Sequence, residues 1–312
     1  MIFVDAHCDT VTRIMDTGEE LFKNTCHIDM ERMSSYGKYL QFFAAFVSPE
    51  FGRAYAMRRA VQIIDKYYEQ ININKCYITP CLNYGDIEAA FAEGKAAALL
   101  SIEGGDALQG ELSALRVFYR LGVRSICLTW NHRNEIADGV ADETPGGGLT
   151  PFGRKVVSEM NSLGMLVDLS HIAEKGFWDV MGETESPVIV SHSNARKICG
   201  HRRNLRDGQI LEVKRNGGVI GINLYPLFLN DSGKADMTDV IKHIEHIASL
   251  AGEDSIGIGA DFDGIELVPD GINGIQDVVK IFNELARLNY TQQSIEKLAG
   301  ANFIRVIRQV LG

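Results

Sequence analysis

Eight short apolar runs, each parted from the next by a longer polar or helical stretch, constrain this chain more than any other feature. They are IFVDA (2–6), FFAAFV (42–47), AAALLSIE (96–103), RSICLTW (124–130), MLVDLS (165–170), PVIVSH (187–192), GVIGINLY (218–225) and SIGIGAD (255–261). The runs are nearly continuous in apolar character rather than alternating, as expected of parallel strands covered on both faces. Between and after them, segments 54–71, 112–122, 151–164, 237–252, about 274–288 and 292–311 carry apolar residues at helical spacing. Pro151 stands at a helix start, and Gly122, Gly164 and Gly252 stand near helix ends. Eight strands alternating with helices over 312 residues predict one (β/α)8 TIM barrel spanning 1–312, with a doubly wound open sheet as its rival. The glycine-rich stretch GVADETPGGGLT (139–150) reads as a mobile wall or lid of a site rather than a domain boundary.

A barrel of this kind gathers the carboxyl ends of its strands at one mouth. The ionisable residues at those ends are His7 and Asp9, Glu103, His171, His192 and Asp261. His7 and Asp9 stand two apart, the spacing that puts side chains on one face of a strand. Three of the chain's eight histidines fall at strand ends, which three unrelated core histidines would not do. The set His7, Asp9, Glu103, His171 and His192 offers nitrogen and oxygen donors without thiolate. It suits zinc best, with manganese, cobalt or iron able to substitute. Five ligands exceed what one four-coordinate catalytic zinc uses, so two ions are expected. Glu103 bridges them, His7 and Asp9 complete one site, and His171 and His192 complete the other. Such a pair lowers the pKa of water from about 15.7 to about 7, roughly 12 kcal/mol in favour of a bridging hydroxide. The reaction class that follows is metal-assisted hydrolysis.

Composition narrows the partners. The net charge of −10 argues against nucleic acid or an anionic membrane as the main partner, since both call for a basic surface. No apolar stretch is long enough to span a bilayer. The chain's start lacks the charged and apolar regions of a secretory leader, so a cytoplasmic protein is expected. The six cysteines are scattered without a CxxC pair and read as small buried hydrophobes. Cys8, between His7 and Asp9, should point away from their shared side.

The segments DAHCDT, SIEGGDAL, VDLSH, VIVSHSNAR, HRRN and GIGADFDG resemble, in order and spacing, the membrane (renal) dipeptidase family of zinc hydrolases, within the amidohydrolase-like metal barrels. The resemblance runs from residue 2 to NFIRV at 302–306. It implies a binuclear zinc dipeptidase with the ligands above, acting on dipeptides that can carry a D-residue second. It places Arg203 on the substrate carboxylate, with Arg202 as the neighbouring alternative. It places Asp261 on the free amino group, from where it could pass a proton to the leaving amine, and Tyr225 on the pocket wall. Family members from animals carry a histidine directly after the LT of the fourth strand. Trp130 stands there in this chain, and His132, two residues on, is expected to take over the oxyanion role, the alternative being that His132 is a loop residue and the metal ions alone hold the oxyanion. A homodimer is the assembly that the resemblance suggests. The secretion, disulfide linkage and lipid anchor of the mammalian proteins are not carried over.

Several patterns are read as structural. The second H-x-D, His27 and Asp29, ends no clear strand. His243 and His246 lie three apart without the H-E-x-x-H pattern and are expected on a solvated helix face. Asp263 shares parity with Asp261 and is expected to support it. Two rivals remain: a hydrolase of the same barrel acting on a cyclic amide, lactone or phosphoester, and a silent binding protein that has lost its metals.

Overall fold

Nine parallel strands run through the computed structural model, which describes residues 1–142 and 146–312. They are β1 (Ile2–Cys8), β2 (Lys38–Phe46), β3 (Ile78–Pro80), β4 (Ala96–Glu103), β5 (Val123–Cys127), β6 (Leu166–Asp168), β7 (Ile189–Ser193), β8 (Val219–Ile222) and β9 (Ile256–Ile258). Eight of them close a barrel in the order β1-β2-β4-β5-β6-β7-β8-β9. The long β2–β4 ladder runs from Leu40↔Ala97 to Phe46↔Glu103, and Asp5↔Ile258 completes the circle. The ninth, β3, lies against Ala96–Ala98 of β4, below the point where β5 joins at Leu100. The open-sheet rival is thereby excluded.

Alternation sorts the strand residues. Phe43 packs on Tyr67 of the surrounding helix Ala56–Ile73, and Phe3 packs on Phe282 of helix Val279–Arg287. Val4, Ala6, Leu40, Phe42, Ala97, Leu99, Leu166, Ile189 and Val219 instead form a separate cluster inside the barrel. Phe303, Val306 and Ile307 of the terminal helix Asn302–Leu311 join that cluster and close the barrel's amino-terminal end. Burying each side chain of this size contributes roughly 1.5–3 kcal/mol. Gly300 lets this helix approach closely, because a Cβ there would meet Ile2 O at 2.8 Å.

Two strands break their alternation. In β1 the register passes from Asp5↔Gln41 to Cys8↔Phe43, three residues against two. In β7 it passes from Val190↔Ile220 to Ser193↔Ile222, again three against two. Each is a β-bulge, and each re-aims the side chains beyond it. Ala6 and His7 therefore both face inward, as do Ile189 and His192. The parity argument for His7 holds only beyond the bulge.

Several strands are shorter at their carboxyl ends than the apolar runs suggest, while β1 and β7 run past theirs, to Cys8 and Ser193. β5 stops at Cys127 rather than residue 130, and β9 at Ile258 rather than residue 261. Helices Thr10–Thr17, Tyr84–Ala92, Glu174–Met181 and Asp207–Asn216 fall outside the expected set. Of the stretch 139–150, residues 143–145 lie outside the described residues, so its reading as a lid is not carried further. Among the described residues no helix is long and apolar enough to cross a membrane.

Candidate active site

His7 sits near the end of β1, and Asp9 follows as the residue before helix Thr10–Thr17. An aspartate there ordinarily accepts a backbone N–H of the first turn, worth about 1 kcal/mol. Asp9 makes no such bond. Its Oδ2 lies 3.4 Å from His7 Nε2, and its buried Oδ1 has no hydrogen-bond partner. The cap is forgone to hold a carboxylate in the mouth.

Glu103 ends β4 with its two oxygens facing different neighbours. Oε2 is 3.5 Å from His7 Nε2, while Oε1 is 3.0 Å from His171 Nε2 and 3.4 Å from His192 Nε2. The structure thus brings all five expected ligands together. His7, Asp9 and Glu103 form one group, Glu103, His171 and His192 a second, each with ligand atoms within 4.8 Å of one another. Asp261 joins His7 and His192 in a third.

The hydrogen bonds behind the ligands fix what they offer. Asn131 Oδ1 is 2.9 Å from His171 Nδ1, so that nitrogen carries the proton and Nε2 is a bare lone pair. Ser191 Oγ donates to Asp168 and stands 2.7 Å from His192 Nδ1, leaving His192 Nε2 bare as well. Asp168 also accepts the N–H groups of Ser170 and Ser191. The two bare nitrogens are 2.9 Å apart, with a carboxylate oxygen beside them. Three lone pairs converging out of water require a cation. Burial, with the charge of Arg203 adding to it, pulls the His171 pKa down to about 3. Burial likewise keeps His192 neutral. At the other group, burial opposes the imidazolium of His7, but Glu103 and Asp9 outweigh it and hold the pKa well above the usual value. His7 Nε2 is also without a hydrogen-bond partner. The residues fit two divalent ions: hard oxygen donors, neutral imidazoles and orphaned buried atoms aimed at common points.

Asp261 lies past the end of β9 rather than on it, in a left-handed turn with φ 64°. Its N–H donates to His7 O, and Asn223 Nδ2 donates to its Oδ2 at 2.8 Å. His171 and Asp263 are left-handed too, at φ 65° and 68°. Such conformations are costly away from glycine and gather where surrounding structure enforces them. Burial pushes the Asp261 carboxyl up to about 7, with His7 opposing and Glu103 and Asp9 adding to the rise. Gly264 follows, and a Cβ there would sit 2.2 Å from Asp9 Oδ2. Asp263 turns away: it accepts from Thr10 Oγ1 and from the His27 N–H, so it braces the loop rather than lining up with Asp261. His27 and Asp29 are structural, Asp29 capping helix Met30–Met33 and pairing with Arg32.

Arg203 is buried beside the cluster. Its Nη2 donates to His192 O at 2.9 Å, and its Nε has no partner. Arg202 is exposed. Tyr225 lines the cleft over the cluster, with Phe46, Trp130 and Asp261, in a volume of about 350 Å³.

His132 is not brought to the site. The chain leaves β5 at Cys127, so strand parity does not extend to residue 132. Trp130 packs on Phe46 and borders the cleft, Asn131 turns inward to His171, and His132 lies beyond them. Its side chain is 65% exposed and 3.8 Å from Asp142 Oδ1. We expect His132→Ala to change kcat/KM less than about twofold, as for a surface substitution; steady-state kinetics on a dipeptide check this. His243 also departs from expectation. It is buried, accepts the Ala195 N–H and faces Leu229 O, tying helix Met237–Ala251 to the loop after β7. Sequence reasoning missed Asn131, Asn223 and the Asp168–Ser191 pair. Their one signal is position: Asp168 ends β6, Asn223 follows β8, Ser191 precedes His192 in β7, and Asn131 lies in the loop after β5.

A family model of the membrane dipeptidases, peptidase family M19, matches residues 1–311. The chain belongs to the membrane dipeptidase family. A dipeptidase of Claviceps purpurea is 34% identical over 297 residues, covering 91% of this chain and 69% of its own. An uncharacterized dipeptidase of Schizosaccharomyces pombe is 36% identical over 302 residues, covering 90% of this chain and 72% of its own. Among solved structures, a metallo peptidase from Rhodobacter sphaeroides bound to a phosphinate mimic of L-Ala-D-Ala is 26% identical, with a TM-score of 0.90 over 99% of both chains. Beside the ligand cluster of this family member stand a buried cation at Arg203 and a buried carboxylate at Asp261, the latter lining the cleft of about 350 Å³.

Proposed function

We propose that this chain hydrolyses the peptide bond of dipeptides, including those with a D-residue second, using two zinc ions. Metal-dependent dipeptide hydrolysis is the activity its family carries. The observation that supports the binuclear form is Glu103, whose oxygens face His7 on one side and His171 with His192 on the other. When bound, the ions supply a hydroxide nucleophile and polarise the scissile carbonyl.

The chain's own residues do the rest. Arg203 pairs with the substrate's terminal carboxylate, which gives its unpartnered Nε an acceptor. Asp261 takes the ammonium group. The same carboxyl is suited to relay a proton to the amine that leaves. Asn223 keeps Asp261 aimed, and Asn131 and Ser191 keep the imidazoles aimed. Phe46 and Trp130 exclude water from one wall. Capturing both termini selects dipeptides, because a longer chain leaves one buried charge unpaired.

The first test is a dipeptide panel with L,L and L,D pairs, run with chelator and with zinc restored. Activity should vanish on chelation and return with about two zinc equivalents per chain; cleavage that persists without metal would sink the reading. Uptake should also depend on pH. Burial and the neighbouring Glu103 push Asp9 up to about 6, and His7 is protonated without metal. Ligands must lose protons to bind, so affinity at this group falls as pH drops through about 6. Calorimetry in two buffers of different ionisation enthalpy reads the released protons; affinity flat from pH 5.5 to 7.5 would contradict the assignment.

A further inference from the structure

We propose that a second cleft, beside Arg203, selects dipeptides whose C-terminal residue carries a carboxylate side chain, aspartyl or glutamyl. The inference rests on the reading of Arg203 as the terminal-carboxylate site and adds the substrate class.

The cleft encloses about 490 Å³, and His171 and Arg203 form part of its wall. His171 also lines the cleft over the cluster, so the two spaces share it as a wall. The C-terminal residue's side chain and carboxylate leave the same Cα. With bonds of about 1.5 Å and angles near 111°, the first side-chain atom lies about 2.5 Å from the carboxylate carbon. A carboxylate held by Arg203 therefore delivers its side chain to the space that Arg203 borders.

That space carries an unbalanced charge. Its acids are engaged: Asp138 pairs with Arg133, and Glu174 pairs with Arg206 at 2.8 Å. Asp142 accepts the Gly139 N–H at 2.9 Å and lies near His132. Lys175 is held by Asp179 at 3.3 Å. Arg196, Arg202 and Arg203 form no ion pair among the described residues. Arg196 donates to His201 O and Arg202 O, and Arg202 Nη1 donates to Ala141 O at 3.4 Å. Among the described residues, three guanidinium groups thus reach one cleft with only carbonyl acceptors. Leu169, Ile172 and Leu205 supply an apolar lining that weakens screening by water. Against one terminal carboxylate and Asp142, the one acid of the wall without an arginine or lysine partner among the described residues, one of these cations is left uncompensated, and an acidic side chain supplies its anion. A lysyl or arginyl side chain is repelled, and an amide gains no charge pairing.

The test uses the zinc-loaded full chain and matched pairs: Ala-Asp against Ala-Asn, and Ala-Glu against Ala-Gln, each in L,L and L,D form, with Ala-Ala as reference. We expect kcat/KM to favour the acid over its amide by roughly tenfold or more in one of the pairs, falling with added salt. Arg202→Gln should shrink that ratio several-fold, and Arg202→Glu should carry it below one. Both substrates are read on one preparation, so losses of folded or metal-loaded enzyme cancel. Ala-Ala cleavage with ratios near one overturns the acidic preference alone, as does a ratio unmoved in Arg202→Glu. If no dipeptide is cleaved at any zinc level, the dipeptidase reading falls and this inference falls with it.

Discussion

Replacing Glu103 by alanine should lower kcat/KM for any dipeptide by at least roughly 10³-fold, about 4 kcal/mol of transition-state stabilisation. Glu103 is the carboxylate that faces both ligand groups, so its loss opens both at once. It also leaves His7 with less negative charge to hold its proton, and breaking a buried ion pair costs about 3–5 kcal/mol of stability. Metal content should drop from two equivalents to one or fewer. Glu103→Gln separates the effects. It keeps the shape and one carbonyl oxygen but turns an amide N–H toward the other group, so one ion should remain and activity should still collapse. Elemental analysis beside circular dichroism distinguishes this from unfolding. A Glu103→Gln enzyme with two bound metals and near-normal turnover would refute the shared-ligand assignment.

Replacing Arg203 by alanine is expected to be nearly as damaging, for a different reason. A buried hydrogen-bonded charge pair truncated on one side typically costs about 2–5 kcal/mol, or roughly 30- to several-thousand-fold. Arg203 is 4% exposed and has an unpartnered Nε, so the substrate carboxylate has no second cation of equal burial to turn to. Arg203→Lys should recover only part of the loss, because an ammonium cannot make the paired bonds of a guanidinium. The diagnostic comparison is a dipeptide against its C-terminal amide. The native enzyme should discriminate strongly against the amide, and Arg203→Ala should lose most of that discrimination. Equal discrimination in both would place the carboxylate elsewhere.

Much of this site was legible in the chain because barrel topology turns strand ends into neighbours. His7, Glu103, His171 and His192 are far apart in sequence, yet each follows a continuous apolar run. What was illegible has specific causes. Pro80 within the three-residue β3 hides that strand, since proline argues against a strand interior. The run RSICLTW reads as strand to its end, but pairing stops at Cys127, and that misplaced His132 by extending parity where none applies. Helices of eight to ten residues such as Glu174–Met181 span barely two turns, too few for periodicity to declare itself. Asn131 and Asn223 carry no charge and sit in loops or strand ends where asparagine is common, so only coordinates reveal their grip on His171 and Asp261. His243 was misread because a helical histidine among charged neighbours looks solvated, whereas two separate segments supply it, Ala195 after β7 with a donor and Leu229 after β8 with an acceptor.

The extra residue in β1 and in β7 has a bearing on how such a barrel comes to hold metals at all. In an unbroken ladder, the residues at 7 and 192 would point outward, into the apolar layer between strands and helices. A single inserted codon in each strand suffices to swing an imidazole from that layer to the mouth, with the rest of the ladder untouched. Gain or loss of a ligand in this architecture is therefore a matter of chain length as much as of residue type, and an alignment that scores only identities at those columns would pass over the event.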